Sequence, residues 1–306
     1  MVNLKNAAWN IKHRPTTVMD VVSTYNERIC NYLKEPNTIP NFLFYSRIGG
    51  TGKSSMGLAI IKELGCDKLI LNASSDRSID VTRTKIKEFA RSKSTNGMKR
   101  CVYCDEAEKF TKDAMDALKN LIEEFAENTF YIFTTNNINK IPQPMQSRFA
   151  AKYEFIKPDK GKILLYLKKI CDIENLLYTD EGLNKIISLH YPSIRECVNM
   201  LQDLYIQKLE VKIENISKHD EEFSKLWGLI KAQKFNEIRT DIFTNGVDCL
   251  LFNRWLFYNI MDEGLDLKKQ IKLTQIFSRT EKDISFGADA NIVFIASVPE
   301  IIMAVK

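Results

Sequence analysis

Gly49-Gly50-Thr51-Gly52-Lys53-Ser54 combines glycines, a lysine and a hydroxyl in an order suited to holding phosphate. Glycines let backbone N–H groups come close to an anion. A helix opening at Lys53 adds more N–H groups and the positive end of its dipole. In such a loop Lys53 reaches the β- and γ-phosphates of a nucleotide and the Ser54 hydroxyl binds Mg2+. The strict spacing asks for glycine at position 47, where this chain has Arg47. The half that forms the cradle (Gly50, Gly52, Lys53, Ser54) is intact.

A second group follows at Cys101-Val102-Tyr103-Cys104-Asp105-Glu106, an apolar run that ends in two carboxylates. In a parallel sheet the carboxyl ends of strands face the ligand crevice. There Asp105 would hold Mg2+, directly or through water, and Glu106 would orient and polarise an attacking water as general base. The two groups together specify a P-loop nucleoside triphosphatase. No Asn-Lys-x-Asp run that would read guanine is present.

Positioning these groups requires strands that alternate with helices. Apolar runs predict strands at 41–46, 68–72, 100–104, 129–135 and 152–156, with helices over 53–64, 79–92 and 111–126 between them. That alternation implies an α/β fold built on a five-stranded parallel sheet covered on both faces. After Pro158 only helical periodicity remains, at 160–172, 179–189, 193–209 and in several helices from 221 to 305. The expected organisation is an ATPase domain over 1–157, a small helical lid over 158–215 and an all-helical third domain over 216–306.

With 306 residues, 44% hydrophobic and 27% charged, the chain has material for two or three cores and is neither collagen-like nor broadly disordered. The most apolar segment, 290–305, is interrupted by Pro299 and Glu300, so no membrane span is expected. The polar, basic start of the chain does not read as a secretory signal. The odd, scattered set of seven cysteines reads as free thiols of a soluble cytoplasmic protein in a reducing compartment. Cys101 and Cys104 have CxxC spacing but lie within an apolar strand, and no metal site is assigned to them. Net charge is +5, yet residues 77–100 alone carry eight Lys/Arg against Asp80 and Glu88. A basic patch on a nearly neutral molecule suggests a polyanion partner.

Beyond these readings, the chain resembles the clamp-loader ATPases of the AAA+ class, meaning replication factor C small subunits and the large subunits of phage clamp loaders. Trp9-Asn10-Ile11-Lys12-His13-Arg14-Pro15 is similar to the family's W-x-x-K-Y-R-P box, with His13 in place of tyrosine. Ile39 to Phe44 matches the lead into its phosphate loop. Leu71 to Val81 resembles its N-A-S-D-D-R-G-I-D-V box, the most specific of these matches. Thr134-Thr135-Asn136-Asn137 resembles sensor 1, Gln146-Ser147-Arg148-Phe149 the S-R-C motif, and Pro192-Ser193-Ile194-Arg195 the start of sensor 2. The resemblance runs from residue 9 to about residue 205.

The resemblance implies ATP and Mg2+ as ligands. It places Lys12, Arg14 and Pro15 with Gly49, Gly50, Thr51, Gly52, Lys53, Ser54 and Ser55 around the nucleotide. Asn136 and Arg195 would contact the γ-phosphate, and Arg148 would reach the ATP of a neighbouring subunit, as fixed positive charge where the transition state spreads negative charge. Arg77, Arg83, Lys87, Arg91 and Lys119 would contact the backbone of primer–template DNA. Of these, Arg83, Lys87 and Arg91 form one helical stripe. The implied partners are that DNA, a sliding clamp, other clamp-loader subunits in a pentameric spiral joined through a C-terminal collar and, indirectly, a DNA polymerase. Met115 and Lys119 stand where the family often has a glutamine and an arginine that couple DNA to ATP, and Phe149 replaces a cysteine. The divergent boxes and short length lean toward a viral version. The competing readings are another AAA+ DNA motor, a nucleotide-binding structural subunit without turnover, and a nucleotide-binding protein with no role on DNA.

Overall fold

Phe42-Leu43-Phe44-Tyr45 offers no position that gains from facing water, and the first three of its side chains are completely buried. It forms β1 (Phe42–Tyr45) of a parallel sheet with β2 (Lys68–Asn72), β3 (Arg100–Asp105), β4 (Thr129–Thr135) and β5 (Ala151–Glu154), in the order β2-β3-β4-β1-β5. The computed structural model describes residues 7–72, 79–92, 94, 97–216, 218–260 and 264–306. This is the expected α/β P-loop architecture of five parallel strands. β5 ends at Glu154, short of the expected residue 156, because its neighbour in the sheet among the described residues, β1, ends at Tyr45, the partner of Glu154.

The N-terminal segment contributes α1 (Trp9–Lys12) and α2 (Asn26–Leu33). Between the strands run α3 (Lys53–Leu64), α4 (Ile79–Arg91), α5 (Lys112–Glu124) and the short α6 (Gln143–Gln146). Side chains alternate along β3. Cys101 and Tyr103 join the core under α2 and α3, whereas Val102 and Cys104 join the core under α4 and α5. The two cysteines of the CxxC spacing therefore face opposite sides of the sheet, and neither forms a disulfide among the described residues.

Three further helices, α7 (Lys160–Glu174), α8 (Asp180–His190) and α9 (Ile194–Ile206), complete the first compact unit, Met1–Lys212. Each opens on a side-chain cap: Asp159 accepts from the Lys162 amide, Thr179 from Gly182 and Ser193 from Glu196. α9 stops before the expected residue 209 because Lys208 takes a left-handed conformation, φ 57°.

The second unit, Ile213–Lys306, is helical: α10 (Ile213–Ile216), α11 (Lys218–Lys231), α12 (Phe235–Asn245), α13 (Cys249–Asn259), α14 (Leu267–Ser285) and α15 (Ala290–Val305). Its core is built on Phe223, Trp227, Phe252, Phe277 and Phe294. The apolar segment noted in the sequence is α15, which buries Phe294, Val298 and Ile301 and contains Pro299. Among the described residues, no helix is long and apolar enough to cross a membrane.

Candidate functional site

β4 lies between β1 and β3, so the carboxyl ends of these strands set the phosphate loop, the tip of β4 and Asp105-Glu106 side by side. The loop leaves β1 at Ser46, whose N–H donates to the Thr135 carbonyl at 3.1 Å. Gly50 (φ 74°) and Gly52 (φ 100°) have the left-handed backbone that side chains resist. Gly50 is also closely covered: a Cβ there would collide with Ser193 and press on Arg195. The Ile194 N–H donates to the Gly50 carbonyl at 3.1 Å, which pins the start of α9 to the loop.

Lys53 is buried, and its Nζ donates to the Ile48 carbonyl at 3.0 Å. Burial pushes this ammonium down to about 8; Glu108 and Asp105 pull it up, while Arg195 pushes it further down. The Ser54 hydroxyl donates to Asp105 Oδ1 at 3.1 Å, and the Thr134 hydroxyl donates to the same oxygen. The Glu106 N–H donates to Thr134 Oγ1 at 3.3 Å. The Asn136 N–H donates to Glu108 Oε1 at 3.1 Å.

These groups surround a cavity of about 380 Å3. Of the residues expected at the nucleotide, it gathers Arg14, Pro15, Gly49, Gly50, Thr51, Gly52, Lys53, Ser54, Ser55, Asp105, Glu106, Asn136 and Arg195. Lys12 stands apart from this group. It does not line this cavity but ion-pairs with Glu174 of α7 at 2.5 Å, beside His13, whose Nε2 is 2.6 Å from the same carboxylate. The N-terminal box is further tied down where the Trp9 N–H donates to Gln202 and Tyr166 Oη donates to the His13 carbonyl, at 2.9 and 2.8 Å.

The sequence reading missed several residues of this wall, among them Thr134, Tyr166, Val21 and Val22. Thr134 lies inside the run 134–137, where Asn136 is the residue the resemblance singles out. Val21, Val22 and Tyr166 carry no motif and are found only by folding. Glu108, two residues beyond Glu106, was also missed, although the Asp-Glu-Ala-Glu run displays it.

Arg148 is not part of the cavity. Its guanidinium pairs with Glu123 of α5, and its carbonyl accepts from Asn41 Nδ2 at 2.9 Å. Asn41 precedes β1 and Ser46 follows it. At ~3.3 Å per residue, this puts the Arg148 backbone about 17 Å from the start of the phosphate loop, at the opposite end of the sheet.

The expected DNA contacts are divided. Arg83 and Lys87 line a groove between α4 and α5 together with Asp113, Asp116 and Glu124, and Lys87 Nζ is 3.6 Å from Glu124. Arg91 lines a different cavity with Lys99 and Arg100. Lys119 is half-buried on α5 and lines neither, and Arg77 lies outside the described residues, as do positions 73–78 of the box around it. Met115, one turn before Lys119, is buried in the core under α5.

A family model for the ATPase family associated with various cellular activities (AAA) matches residues 43–156. The replication factor C small subunit of Saccharolobus solfataricus is 30% identical over 303 residues, covering 93% of this chain and 91% of that protein. That of Methanococcus maripaludis is 30% identical over 299 residues, covering 92% and 94%. That of Halobacterium salinarum is 36% identical over 201 residues, covering 63% of this chain and 62% of that protein. These relatives are archaeal and give the viral expectation no support. A solved structure of the Thermotoga maritima RuvB Holliday junction branch migration motor shares the fold: TM-score 0.57, 14% identity, covering 95% of this chain and 91% of that one. With its AAA ATPase core and near full-length similarity to the Saccharolobus and Methanococcus proteins, the chain belongs to the replication factor C small subunit family.

Proposed function

We propose that this chain is an ATP-hydrolysing motor subunit of a sliding-clamp loader, which opens a DNA polymerase processivity clamp and places it on primer–template DNA. The observation that carries the reading is the single cavity that holds Lys53, Ser54, Asp105, Glu106, Asn136 and Arg195 together. A subunit kept only for structure has no need to retain all of them. Residues 1–157 serve as ATPase domain, 158–215 as lid and 216–306 as oligomerising collar.

The residues present suit a magnesium nucleotide. Ser54 Oγ and Asp105 form a hydroxyl–carboxylate pair on one wall, and the buried Thr51 hydroxyl has no hydrogen-bond partner among the described residues. When bound, magnesium supplies positive charge that offsets the charge of the phosphates. Lys53 gives up its bond to the Ile48 carbonyl and turns to the phosphates. Asn136 and Glu106 hold the attacking water, and Glu106 accepts its proton. Arg195, carried on α9, closes over the γ-phosphate. Arg148 is too far from its own loop to do the same, so it acts on a neighbour's nucleotide and makes hydrolysis conditional on assembly. DNA follows the basic side of α4 through phosphate contacts, without sequence readout.

The test is steady-state ATP hydrolysis with and without primer–template DNA over a range of protein concentrations. Turnover that rises with DNA, and faster than linearly with protein, is the expected result. ATP binding without turnover, even with clamp and companion subunits added, overturns the motor reading.

A further inference from the structure

Gly57 occupies the interior of α3, where glycine is less favourable than alanine, and its backbone has no positive φ to excuse it. Its neighbour explains it. A Cβ at Gly57 would sit 2.7 Å from Tyr103 Cε2 and 3.1 Å from Ile132 Cγ2. The glycine makes room for a tyrosine ring in the middle of β3.

Tyr103 lies two residues before Asp105, so both face the side of the sheet that α3 covers. Thr134 on β4 faces the same side, in line with Ile132. The Tyr103 side chain is only 2% exposed, and its hydroxyl has no hydrogen-bond partner among the described residues. Ser54, Thr134 and Asp105 are close enough to interact with it, but none is placed for a well-formed hydrogen bond. A buried hydroxyl without a partner is unfavourable, and phenylalanine would fill this space without that cost. The ring accounts for the glycine; the hydroxyl still needs a purpose.

We infer that Tyr103 is a positioning residue of the magnesium site, its hydroxyl completing a set of three with Ser54 and Thr134 that aims the Asp105 carboxylate. This rests on the reading of Ser54 and Asp105 as the magnesium pair. Asp105 Oδ1 already accepts from Ser54 and Thr134. With Ser54 engaged by the ion, Tyr103 would supply a replacement donor that keeps the Asp105 carboxylate aimed. Groups that orient metal ligands in this way govern metal affinity without touching the metal.

The experiment is binding of a fluorescent ATP analogue, titrated with MgCl2, to wild type, Tyr103→Phe and the double variant Gly57→Ala/Tyr103→Ile. Thermal melting of each variant is recorded alongside. Tyr103→Phe keeps the ring and is expected to melt no lower than wild type, while the half-saturating Mg2+ concentration rises about 10-fold. Binding of the analogue without Mg2+ stays as in wild type. The double variant refills the space without a hydroxyl and is expected to show the same Mg2+ shift, which assigns the effect to the oxygen rather than the ring. A folded Tyr103→Phe protein with an unchanged Mg2+ requirement overturns the inference and leaves the motor reading standing. A wild-type protein whose nucleotide binding ignores Mg2+ overturns the magnesium-site reading and this inference with it.

Discussion

The Glu106 carboxylate meets the Lys109 ammonium at 2.6 Å, a pair formed within the single 3-10 turn Ala107–Lys109 that follows β3. Glu106 itself has a left-handed backbone, φ 52°, so the chain reverses at the residue read as general base. The pair competes with a water for the carboxylate. Exposed pairs of this kind are worth about 0.2–1 kcal/mol. Lys109→Ala is expected to raise turnover at saturating Mg-ATP about two- to fivefold, with nucleotide affinity unchanged. Glu106→Gln should abolish turnover. A slower Lys109→Ala enzyme would mean that the lysine supports the base instead of restraining it.

Arg148 stands at the far end of the sheet from its own loop, and this makes a mixing experiment decisive. Arg148→Ala alone should bind ATP normally and lose about a thousandfold in turnover. Lys53→Ala alone should lose binding. Mixed together, the two should recover part of the activity, because the second variant lends its arginine to the first. No recovery at any mixing ratio would place Arg148 outside the reaction.

Lys53 sets the response to alkaline pH. Burial holds its ammonium down at about 8, and phosphate prefers the protonated form. Bound phosphate therefore raises the pKa, and affinity must fall as pH climbs through the value of the free protein. ATP affinity measured from pH 7 to 10 is expected to decline above pH 8. A flat profile would mean that the lysine is not the phosphate contact.

His13 sets the response to acid. Burial lowers its pKa below 6.5 despite the pull of Glu174, and Lys12 lowers it further. The folded chain thus holds His13 neutral where the unfolded chain takes up a proton, so stability present above pH 6.5 is lost as pH falls through it. Melting temperatures between pH 8 and 5 should show this loss. His13→Tyr should reduce the loss, since tyrosine has no proton to take up in that range.

The groove between α4 and α5 predicts opposite effects from two neighbours. Glu124 sits 3.6 Å from Lys87 and offsets the charge offered to DNA. Arg83→Ala should weaken binding to any DNA sequence and flatten the salt dependence by ~0.9 in log–log slope. Glu124→Gln should strengthen binding at low salt. Equal binding by both variants would remove this face from the DNA path.

The parts of the site written as contiguous runs were legible before folding. The loop 49–54 and the strand that ends in Asp105-Glu106 carry their chemistry in local order, and continuous apolar runs identified the strands around them. Relations that depend on strand register were not legible. That Thr134 bonds to Asp105 follows from β3 and β4 aligning Cys104 with Phe133, which no local pattern encodes. The pairing of Lys12 with Glu174 was not legible for a similar reason: it depends on α7, from far along the chain, coming within reach. The stripe of Arg83, Lys87 and Arg91 was read correctly as helical spacing, but the carboxylates facing two of its members belong to another helix.

The bond from the Ile194 amide to the Gly50 carbonyl makes one peptide plane of the phosphate loop the doorstop of α9. Rotating that plane to aim its neighbours at an anion swings the carbonyl away from the amide it now holds. Loop and lid then cannot adjust independently. A single amide proton, beside Arg195 on the wall of the cavity, becomes a gauge of whether the door is latched, and its exchange with solvent should report each turn of the nucleotide cycle.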